Sequence, residues 1–566
     1  MALGKSTLQD FFMRLAVYGA AGNEEKNGFI TLGLSLAFVT SNSIATSADL
    51  YFELYRLVAV ANGFIIPILN PCLLRFNAIA AATVVFPTLV SVPVIKSPFL
   101  RKIIIITYHK KNLIGLDLEQ ADKKFVWHPY TQMTDWLQWT NKVIVKGDGF
   151  YLIDTDGNRY LDGCASMWCN VWGHSRKEII DSIITQVKQL QHSTLFGLAN
   201  RPAIELAEIL LKISKQMDHV FYSDNGSTAI EVALKMSVQY WRNKGYNRKN
   251  RFFSLERGYH GDTIGAMSIG YVPEYFRPYK SVLRPSKRIS PPKSATLDET
   301  DDQVKQNYIE NLEIFFSKYS ETCCAMVMES GAQIAGGINV YPHGFQKAVS
   351  ELCNKYNILL VLDEIATGFG RLGNMVEYLA QGSTPDIVCM GKALTGGYFP
   401  LAVTLCKEEL YSAFLSDYSK NRHLCHGHTY TGHPVGCSVA ITNLQLYRKY
   451  NLLEHIRRNS IYLRKKLKEI QVSPVVGRVV HKGLLGAVDL VKKKERKQVP
   501  IHSLDYHGKK ISSSNYIMRE AFEKGVFIRG LGDTVVMIPP LAIGKGDLKY
   551  LLAVISELIK KIEGLV

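Results

Sequence analysis

The chain has 566 residues, of which 47% are hydrophobic and 21% are charged, and its formal net charge is +17. This length and balance exclude a disordered protein and allow a large core with more than one domain. We predict no nucleic-acid partner despite the positive charge, because the basic residues form no arginine-rich arm and no zinc-finger spacing. The densest basic run, KKKERK at 492–497, is interpreted as a solvated loop.

Ten cysteines occur without a paired framework or a CxxC motif, and most stand in apolar runs such as ETCCAMVME. Such usage favours reduced, buried thiols and a cytoplasmic protein. No cluster of residues has the spacing of a metal site, so we predict none.

Residues 1–115 differ from the rest of the chain. Three stretches without charge, at 27–48, 57–74 and 77–95, approach the length of a bilayer span, but their prolines and many Ser, Thr and Asn residues make them poor helices. Three interpretations remain: a membrane tether, an unusual targeting region, or translated sequence upstream of the true start. We favour the third because the region lacks periodicity, although no methionine between Met13 and Met133 offers an internal start.

From about residue 125 onward, short apolar runs alternate with longer amphipathic segments. HVFYS at 219–223 predicts a strand, and TAIEVALKMSVQYW at 228–241 predicts a helix with Ala229, Ala233, Met236 and Tyr240 on one face. Further strands are predicted at 324–329, 358–364 and 386–390. The alternation predicts an α/β fold with a mostly parallel sheet, whose ligands bind beyond the carboxyl ends of the strands.

Lys392 is the one charged residue in the segment IVCMGKALTGGYFPLAVTLC at 387–406. A buried, unpaired ammonium is costly, so a solvated surface lysine fits this context poorly. Lysine amines form Schiff bases with carbonyl compounds and need a partly dry pocket to do so. The segment therefore indicates a covalent site.

Glu329 and Asp363 also stand at the ends of predicted strands, where each alone would most often be a solvated or capping group. Gly226 and Ser227 lie in SDNGSTA between a strand and a helix, where free N–H groups and the helix dipole favour an anion. An ordinary N-cap supplied by Asp224, Asn225 or Ser227 is the alternative. A phosphate cradle, a Schiff-base lysine and a carboxylate together match the needs of pyridoxal phosphate.

Three segments resemble a known family: VLDEIATGFGRLG at 361–373, GYHGDTIGAMS at 258–268 and MGKALTGG at 390–397 are similar to the cofactor-binding blocks of the fold-type I, class III aminotransferases. The resemblance runs from about residue 122 to the C-terminus. It implies a large domain at 181–440 with a mostly parallel seven-stranded sheet flanked by helices. A smaller α/β domain would be built from 122–180 and 441–566.

The resemblance implies roles for individual residues. Lys392 would carry pyridoxal phosphate and Asp363 would pair with its pyridine nitrogen, making both catalytic. Tyr259, also assigned a catalytic role, would stack on one face of the ring and Ile365 would pack on the other. Gly226 and Ser227 match the phosphate-binding turn. Thr429, in HGHTYTGHP at 426–434, would reach the phosphate of the neighbouring subunit, which implies a homodimer with shared sites.

Within the family, WHPYTQM at 127–133 and GCASMWCNVWGH at 163–174 are similar to the branch that aminates 8-amino-7-oxononanoate in biotin synthesis. This resemblance assigns the substrate site to Tyr130, Trp168, Gly427 and Arg529, of which the arginine would bind the substrate carboxylate. Ser330 stands where many relatives have proline, and Val536 stands where some have tyrosine. The serine concerns the geometry of the loop after Glu329, and the valine concerns contacts with the substrate. Neither departure touches the lysine, the aspartate or the phosphate turn.

The function implied is ping-pong transamination that yields 7,8-diaminononanoate, with S-adenosylmethionine as the usual amino donor and lysine as an alternative. A different class III enzyme, acting on an ω-amino acid or a diamine, or a mutase on the same scaffold, is the nearest rival. A rival of another class is a membrane-associated binding or transport component whose function lies in residues 1–115. The intact cofactor residues argue against that rival.

Overall fold

The computed structural model of the protein describes residues 117–566, apart from 294–296, 298–305 and 495–496. The predictions made for residues 1–115 therefore lie outside the described residues. Among the helices that are described, none is both long and apolar enough to cross a bilayer.

A seven-stranded sheet forms the centre of the described chain. Its strands lie in the order His219–Ser223, Ala402–Cys406, Ile387–Met390, Leu359–Asp363, Cys323–Glu329, Arg251–Leu255 and Lys287–Ile289. Ala402–Cys406 runs antiparallel to both of its neighbours, and the remaining pairs are parallel. Every residue of the four strands at 323–329, 359–363, 387–390 and 402–406 is buried, as expected for strands covered on both faces.

Helices cover this sheet, and the helix Gly226–Asn243 illustrates how the sequence specifies them. Its predicted apolar face is present, because Ala229, Ala233, Met236 and Tyr240 are all buried. Apolar residues that recur every three or four positions line one side of a helix, so this side packs on the sheet. The other right-handed α-helices of the described chain are Leu118–Phe125, Met133–Gln138, Lys177–Gln189, Arg201–Ile213, Ile264–Ile269, Pro273–Phe276, Gln306–Tyr319, Phe345–Lys355, Glu377–Ala380, Glu408–Ser412, Pro434–Lys449, Leu452–Gln471, Ser513–Glu523 and Lys545–Glu563.

Four smaller sheets accompany the central one, and one of them joins the two ends of the described chain. Strands Ile144–Asp148, Tyr151–Asp154 and Arg159–Asp162 form a sheet with Val526–Phe527, which pairs in parallel with Arg159–Asp162. A five-stranded sheet contains Val476–Lys482, Leu485–Lys494, Thr534–Met537, Arg529–Leu531 and Lys497–Pro500, and the short pairs Leu504–Tyr506 with Lys509–Ile511 and Ala332–Gln333 with Asn339–Val340 complete the strands. The α/β fold with a mostly parallel seven-stranded sheet is confirmed. The domain boundaries stay predictions.

The described part of the basic run at 492–497 lies in strands and not in the predicted loop. Lys492 and Lys493 lie in the strand Leu485–Lys494, which pairs antiparallel with the strand Lys497–Pro500. Lysines are common on exposed edge strands, where their charge discourages pairing with other chains. A run of charged residues is therefore compatible with a strand, and the loop prediction was wrong for the described part of this run.

Strand register brings the predicted chemical groups together. Asp363 and Glu329 are the last residues of neighbouring parallel strands and are opposite each other in register. Lys392 follows the next strand, Ile387–Met390, by two residues. These residues therefore meet at the carboxyl edge of the sheet, where ligands bind in open α/β folds.

Candidate active site

A cavity of about 710 Å³ opens at this edge of the sheet. The structure brings seven of the predicted site residues to its lining, namely Trp168, Gly226, Ser227, Tyr259, Asp363, Ile365 and Lys392. These residues come from positions scattered over more than two hundred residues of chain, and the sheet places them around one space. Tyr130, Gly427, Thr429 and Arg529 do not line the cavity.

Lys392 begins a short 3₁₀ turn, Lys392–Leu394, and has a left-handed backbone with φ of 45°. Its amine lies 4.9 Å from the centre of the Trp168 ring and makes no ion pair within the described residues. Burial lowers the pKa of Lys392 below its ordinary value, and this effect outweighs the opposing charges of Asp363 and Glu329. A lowered pKa makes the neutral amine, which is the nucleophile, more available.

Asp363 is buried and held from two sides. Its Oδ1 accepts the N–H of Ile365 at 2.9 Å, and its Oδ2 lies 2.8 Å from Nδ1 of His260. Burial opposes the positive form of His260, but the hydrogen bond and charge of Asp363, with the charge of Glu329, raise its pKa. The imidazole therefore keeps a proton on Nδ1 and donates it to the aspartate. Sequence reasoning missed His260, although it stands beside Tyr259 in GYHGDTIGAMS.

The start of the helix Gly226–Asn243 is capped by Asn225, which decides between the three candidate caps. The Asn225 side chain accepts the N–H of Thr228 at 3.1 Å, and the Thr228 hydroxyl closes a capping box. Ser227 is thereby free for another role: its Oγ lies 2.8 Å from the Thr263 hydroxyl and accepts the Thr263 N–H. The N–H groups of Gly226 and Ser227 have no acceptor among the described residues, which suits an anion at this end of the helix.

Gly226 cannot carry a side chain without disturbing this corner of the cavity. A Cβ there would lie 2.9 Å from two side-chain atoms of Ile365. We expect Gly226→Ala to displace Ile365 and to weaken the binding of pyridoxal phosphate about tenfold, since overpacking costs on the order of 1–3 kcal/mol. Cofactor titration followed by absorbance measures this. Gly546→Ala, where a Cβ meets nothing within 4 Å, is the matched control and should bind cofactor normally.

Tyr259 and Tyr130 converge on a carboxylate that sequence reasoning also missed. The Tyr259 hydroxyl donates to Oδ2 of Asp262 at 3.1 Å, and the Tyr130 hydroxyl donates to Oδ1 of the same residue. Burial and Asp262 raise the pKa of both tyrosines, so both hydroxyls keep their protons. Tyr130 is thus tied to the mouth of the cavity through Asp262, and its ring packs edge-on against Tyr275 with centroids 5.2 Å apart.

Trp168 is placed by a left-handed turn that contains no glycine. Ala165, Ser166, Met167 and Trp168 all have positive φ, between 44° and 71°. Such a backbone costs about 1–2 kcal/mol per residue, so neighbouring contacts must hold it. Buried Asp162 supplies them: it accepts the Ser166 N–H at 2.9 Å and the Ser166 hydroxyl at 2.7 Å. The turn leaves the Trp168 indole N–H buried without a partner among the described residues.

We expect Ser166→Ala to destabilise the protein by about 1–2 kcal/mol, because it removes a hydrogen bond to a buried carboxylate. Ser166→Gly loses the same bond but accepts the left-handed backbone, so it should be more stable than Ser166→Ala by about 1 kcal/mol. Thermal unfolding of both variants measures the difference. Equal stability of the two would show that backbone strain at position 166 does not matter.

Four predicted residues lie outside the cavity for different reasons. Arg529 stands opposite Val536 in a pair of neighbouring strands and makes no ion pair within the described residues. Thr429 is exposed, and Gly427 packs so closely on Phe196 that a Cβ would lie 2.5 Å from its ring. Tyr130 is 53% exposed. These positions leave Arg529 free for a carboxylate and Thr429 available to another chain.

The two departures from the family pattern have structural counterparts. The Ser330 N–H donates to the carbonyl oxygen of Asp363 at 2.8 Å, a bond that a proline could not make. Its hydroxyl lies 3.0 Å from Oε1 of Glu364. Val536 is buried in the apolar cluster that contains Trp168 and Ile334. Ser330 therefore helps to hold the end of the strand Leu359–Asp363 in place. Val536 packs in the same apolar cluster as Trp168 and does not contact the cavity as a polar group.

Comparison with known proteins agrees with this geometry. The family model described as aminotransferase class-III matches residues 135–559. Two relatives named adenosylmethionine-8-amino-7-oxononanoate aminotransferase are 39% identical over 450 residues (Staphylococcus aureus) and 37% identical over 458 residues (Methanocaldococcus jannaschii). The matches cover 79% and 78% of this chain, respectively, and 98% of each relative. The chain belongs to the class III aminotransferases.

Solved structures extend the comparison to this aminotransferase's fold and cofactor. The crystal structure of the M. jannaschii enzyme matches with a TM-score of 0.72 at 36% identity, covering 78% of this chain and 98% of that one. An amine transaminase from an uncultivated Pseudomonas species, solved with pyridoxal phosphate bound, matches with a TM-score of 0.70 at 31% identity, covering 77% and 98%. This aminotransferase uses pyridoxal phosphate.

The residues present fit this cofactor. A helix start with free N–H groups and the Ser227 hydroxyl suits a phosphate, a buried carboxylate bonded to His260 suits a pyridine nitrogen, and the buried amine of Lys392 suits an aldehyde. Tyr259 and Ile365 both line the cavity, and the absence of a side chain at Gly226 keeps the phosphate corner open. Each chemical feature of the cofactor thus has a matching protein group.

Proposed function

We propose that this aminotransferase converts 8-amino-7-oxononanoate to 7,8-diaminononanoate in biotin biosynthesis, with S-adenosylmethionine as the amino donor. The observation that carries the proposal is the identity of 37–39% to enzymes of that name over 98% of their length. Two features of the site support it. Tyr130, from the WHPYTQM segment, is anchored at the cavity by Asp262. Arg529 has no acidic partner among the described residues, so its guanidinium can receive a substrate carboxylate.

Different side chains of the site have different roles in the proposed reaction. The Lys392 amine would hold the cofactor, and the same amine would take the proton from the substrate carbon and return it, acting as general base and then as general acid. When bound, pyridoxal phosphate supplies the electron sink for this proton transfer. The Asp363 carboxylate would pair with the pyridine nitrogen, and His260 fixes the orientation of that carboxylate. The helix start at Gly226 and Ser227 holds the phosphate.

The proposed assembly is a homodimer with shared sites. Thr429 is exposed and does not line the cavity of its own chain, so it is free to reach the phosphate in the partner's cavity, with Gly427 beside it at the partner's substrate. We also propose that the enzyme works in the cytoplasm. The nine cysteines of the described residues form no disulfide, which is typical of a reducing compartment.

A single-turnover experiment tests the substrate and the donor. The absorbance band of lysine-bound cofactor is followed while S-adenosylmethionine, then lysine, is added to the purified protein, and 8-amino-7-oxononanoate is added afterwards. Loss of the band with S-adenosylmethionine and its return with the keto acid is expected. Loss of the band with free lysine but not with S-adenosylmethionine would identify lysine as the amino donor. If neither acts but an ω-amino acid does, the proposed substrate is wrong and the enzyme is an ω-transaminase, as several structural relatives are named.

A further inference from the structure

A second cavity, of about 900 Å³, shares no lining residue with the active-site cavity. Its walls are the later turns of the helix Gly226–Asn243, the helix Ile264–Ile269, the start of the strand Arg251–Leu255, and the segments at 282–286 and 420–425. None of the residues assigned to the cofactor or to the substrate lines it. This cavity is therefore a separate space with its own chemistry.

We call this space the basic cavity because six of the side chains that line it are cationic. They are Lys235, Arg242, Arg251, Arg284, Lys420 and Arg422. Among the described residues only Lys420 has an ion pair, with Asp417 at 3.5 Å, and Lys235 donates to the neutral Nδ1 of His426 at 3.0 Å. Cations that share a small space repel one another, and the cavity focuses their field on anions in solution.

Glu231 is the one carboxylate among the described residues of this lining, and it is already engaged. Its Oε1 accepts the N–H groups of Gly265 at 2.8 Å and Ala266 at 3.1 Å, at the start of the helix Ile264–Ile269. It therefore satisfies backbone groups and makes no ion pair with the arginines. The positive charge of the basic cavity is left for an anion that the described chain does not supply.

The backbone that carries these arginines is held in place from several elements. The Gln239 side-chain amide donates to the carbonyl oxygens of Arg422 and His423, both at 2.9 Å, and so ties their segment to the helix. On another wall, the Arg284 N–H donates to the Ser268 hydroxyl at 3.0 Å. A ligand would therefore not have to order these segments in order to bind, which lowers the cost of binding.

We propose that the basic cavity binds a small molecule that carries two or more phosphate groups. A planar guanidinium donates two parallel hydrogen bonds to a phosphate, and arginines on different walls suit several phosphates better than one. The volume is that of a small-molecule site. Val238, Phe252 and Leu424, which are partly buried in the same lining, offer apolar surface to a nucleoside attached to the phosphates. This site lies beyond the proposed transamination and does not depend on it.

The test is isothermal titration calorimetry of the cofactor-loaded protein with inorganic triphosphate and, separately, with ATP. Loading the cofactor first fills the helix start at Gly226 and Ser227, so neither ligand is captured there. We expect a dissociation constant below about 1 mM for at least one of them at about 0.1 M salt. Tighter binding of ATP would identify the ligand as a nucleotide, and equal or tighter binding of triphosphate would identify a free oligophosphate. If both bind more weakly than this limit, the proposal is wrong.

Substitutions locate the binding in the basic cavity. Arg251→Gln combined with Arg422→Gln removes cations from two walls, and we expect the affinity to fall at least about tenfold because charge-assisted hydrogen bonds are lost. The matched control is Arg201→Gln combined with Arg458→Gln, which removes the same charge from exposed positions outside the cavity and should bind normally. An equal loss in both pairs would mean that only net charge matters, and the proposal would fail.

A further variant and a second measurement complete the test. Thermal unfolding identifies any variant that does not fold, and Arg242→Gln, which removes another cation of the same lining, should by itself weaken binding about fivefold. Analytical ultracentrifugation of the variants examines a different occupant, a second copy of the chain. Weaker association between subunits with unchanged binding of the polyphosphate would assign the basic surface to the subunit contact and overturn the proposal.

Discussion

Replacing Lys392 with alanine is expected to lower turnover by at least about a thousandfold, because the same amine holds the cofactor and moves the substrate proton. The variant should fold, since the change removes an amine whose pKa burial already lowers and which makes no ion pair in the described chain. It should also bind pyridoxal phosphate without the absorbance band of the lysine-bound form. Steady-state kinetics, the absorbance spectrum and thermal unfolding measure the three outcomes.

Lys407→Ala is the matched control for this substitution. Lys407 also follows a strand of the central sheet, but it pairs with Asp386 at 3.0 Å and does not line the cavity. It should keep its turnover and its absorbance band. If Lys392→Ala kept turnover within tenfold of the wild type, the assignment of Lys392 as the catalytic amine would be wrong.

Much of the scaffold could be predicted because its physical cause is local. A strand covered on both faces must be apolar throughout, so the runs that end at Glu329 and Asp363 were visible as strands. A helix that packs on one side repeats its apolar residues, as Gly226–Asn243 does. A polar residue at the end of such an apolar run is easy to recognise in the sequence, because the run before it contains no other polar residue. The edge of the sheet where the chemistry lies was therefore predictable without knowing the order of the strands.

Contacts between distant residues were not predictable from local pattern. His260 and Asp363 are 103 positions apart, and they meet because the segment after the strand Arg251–Leu255 and the end of the strand Leu359–Asp363 lie at the same edge of the sheet. The capping of Gly226–Asn243 by Asn225 could not be distinguished from capping by its neighbours, since all three are good N-cap residues. The left-handed turn at 165–168 contains no glycine from which it could be predicted, and it is held by the hydrogen bond from the Ser166 N–H to Asp162. Such features arise from tertiary contacts.

The second large effect is expected for Asp363→Asn. The asparagine keeps the size of the side chain but not its charge, and its amide cannot accept from both the Ile365 N–H and the His260 imidazole. A contact ion pair with the protonated pyridine nitrogen is worth on the order of 4 kcal/mol at an effective dielectric constant near 20, so we expect turnover to fall by roughly a thousandfold. Kinetics and cofactor titration together separate lost catalysis from lost binding.

Asp386→Asn gives this prediction its control, because Asp386 is also a carboxylate at the central sheet. It accepts the Leu360 N–H at 2.8 Å and pairs with Lys407, away from the cavity, so its loss should affect stability and leave the cofactor spectrum unchanged. If Asp363→Asn retained more than a tenth of the wild-type turnover, the negative charge at position 363 would not be what holds the proton on the cofactor nitrogen. The large loss in Asp363→Asn and the small one in Asp386→Asn would together show that the effect comes from the position of the charge at the cavity, and not from the removal of a carboxylate from the central sheet as such.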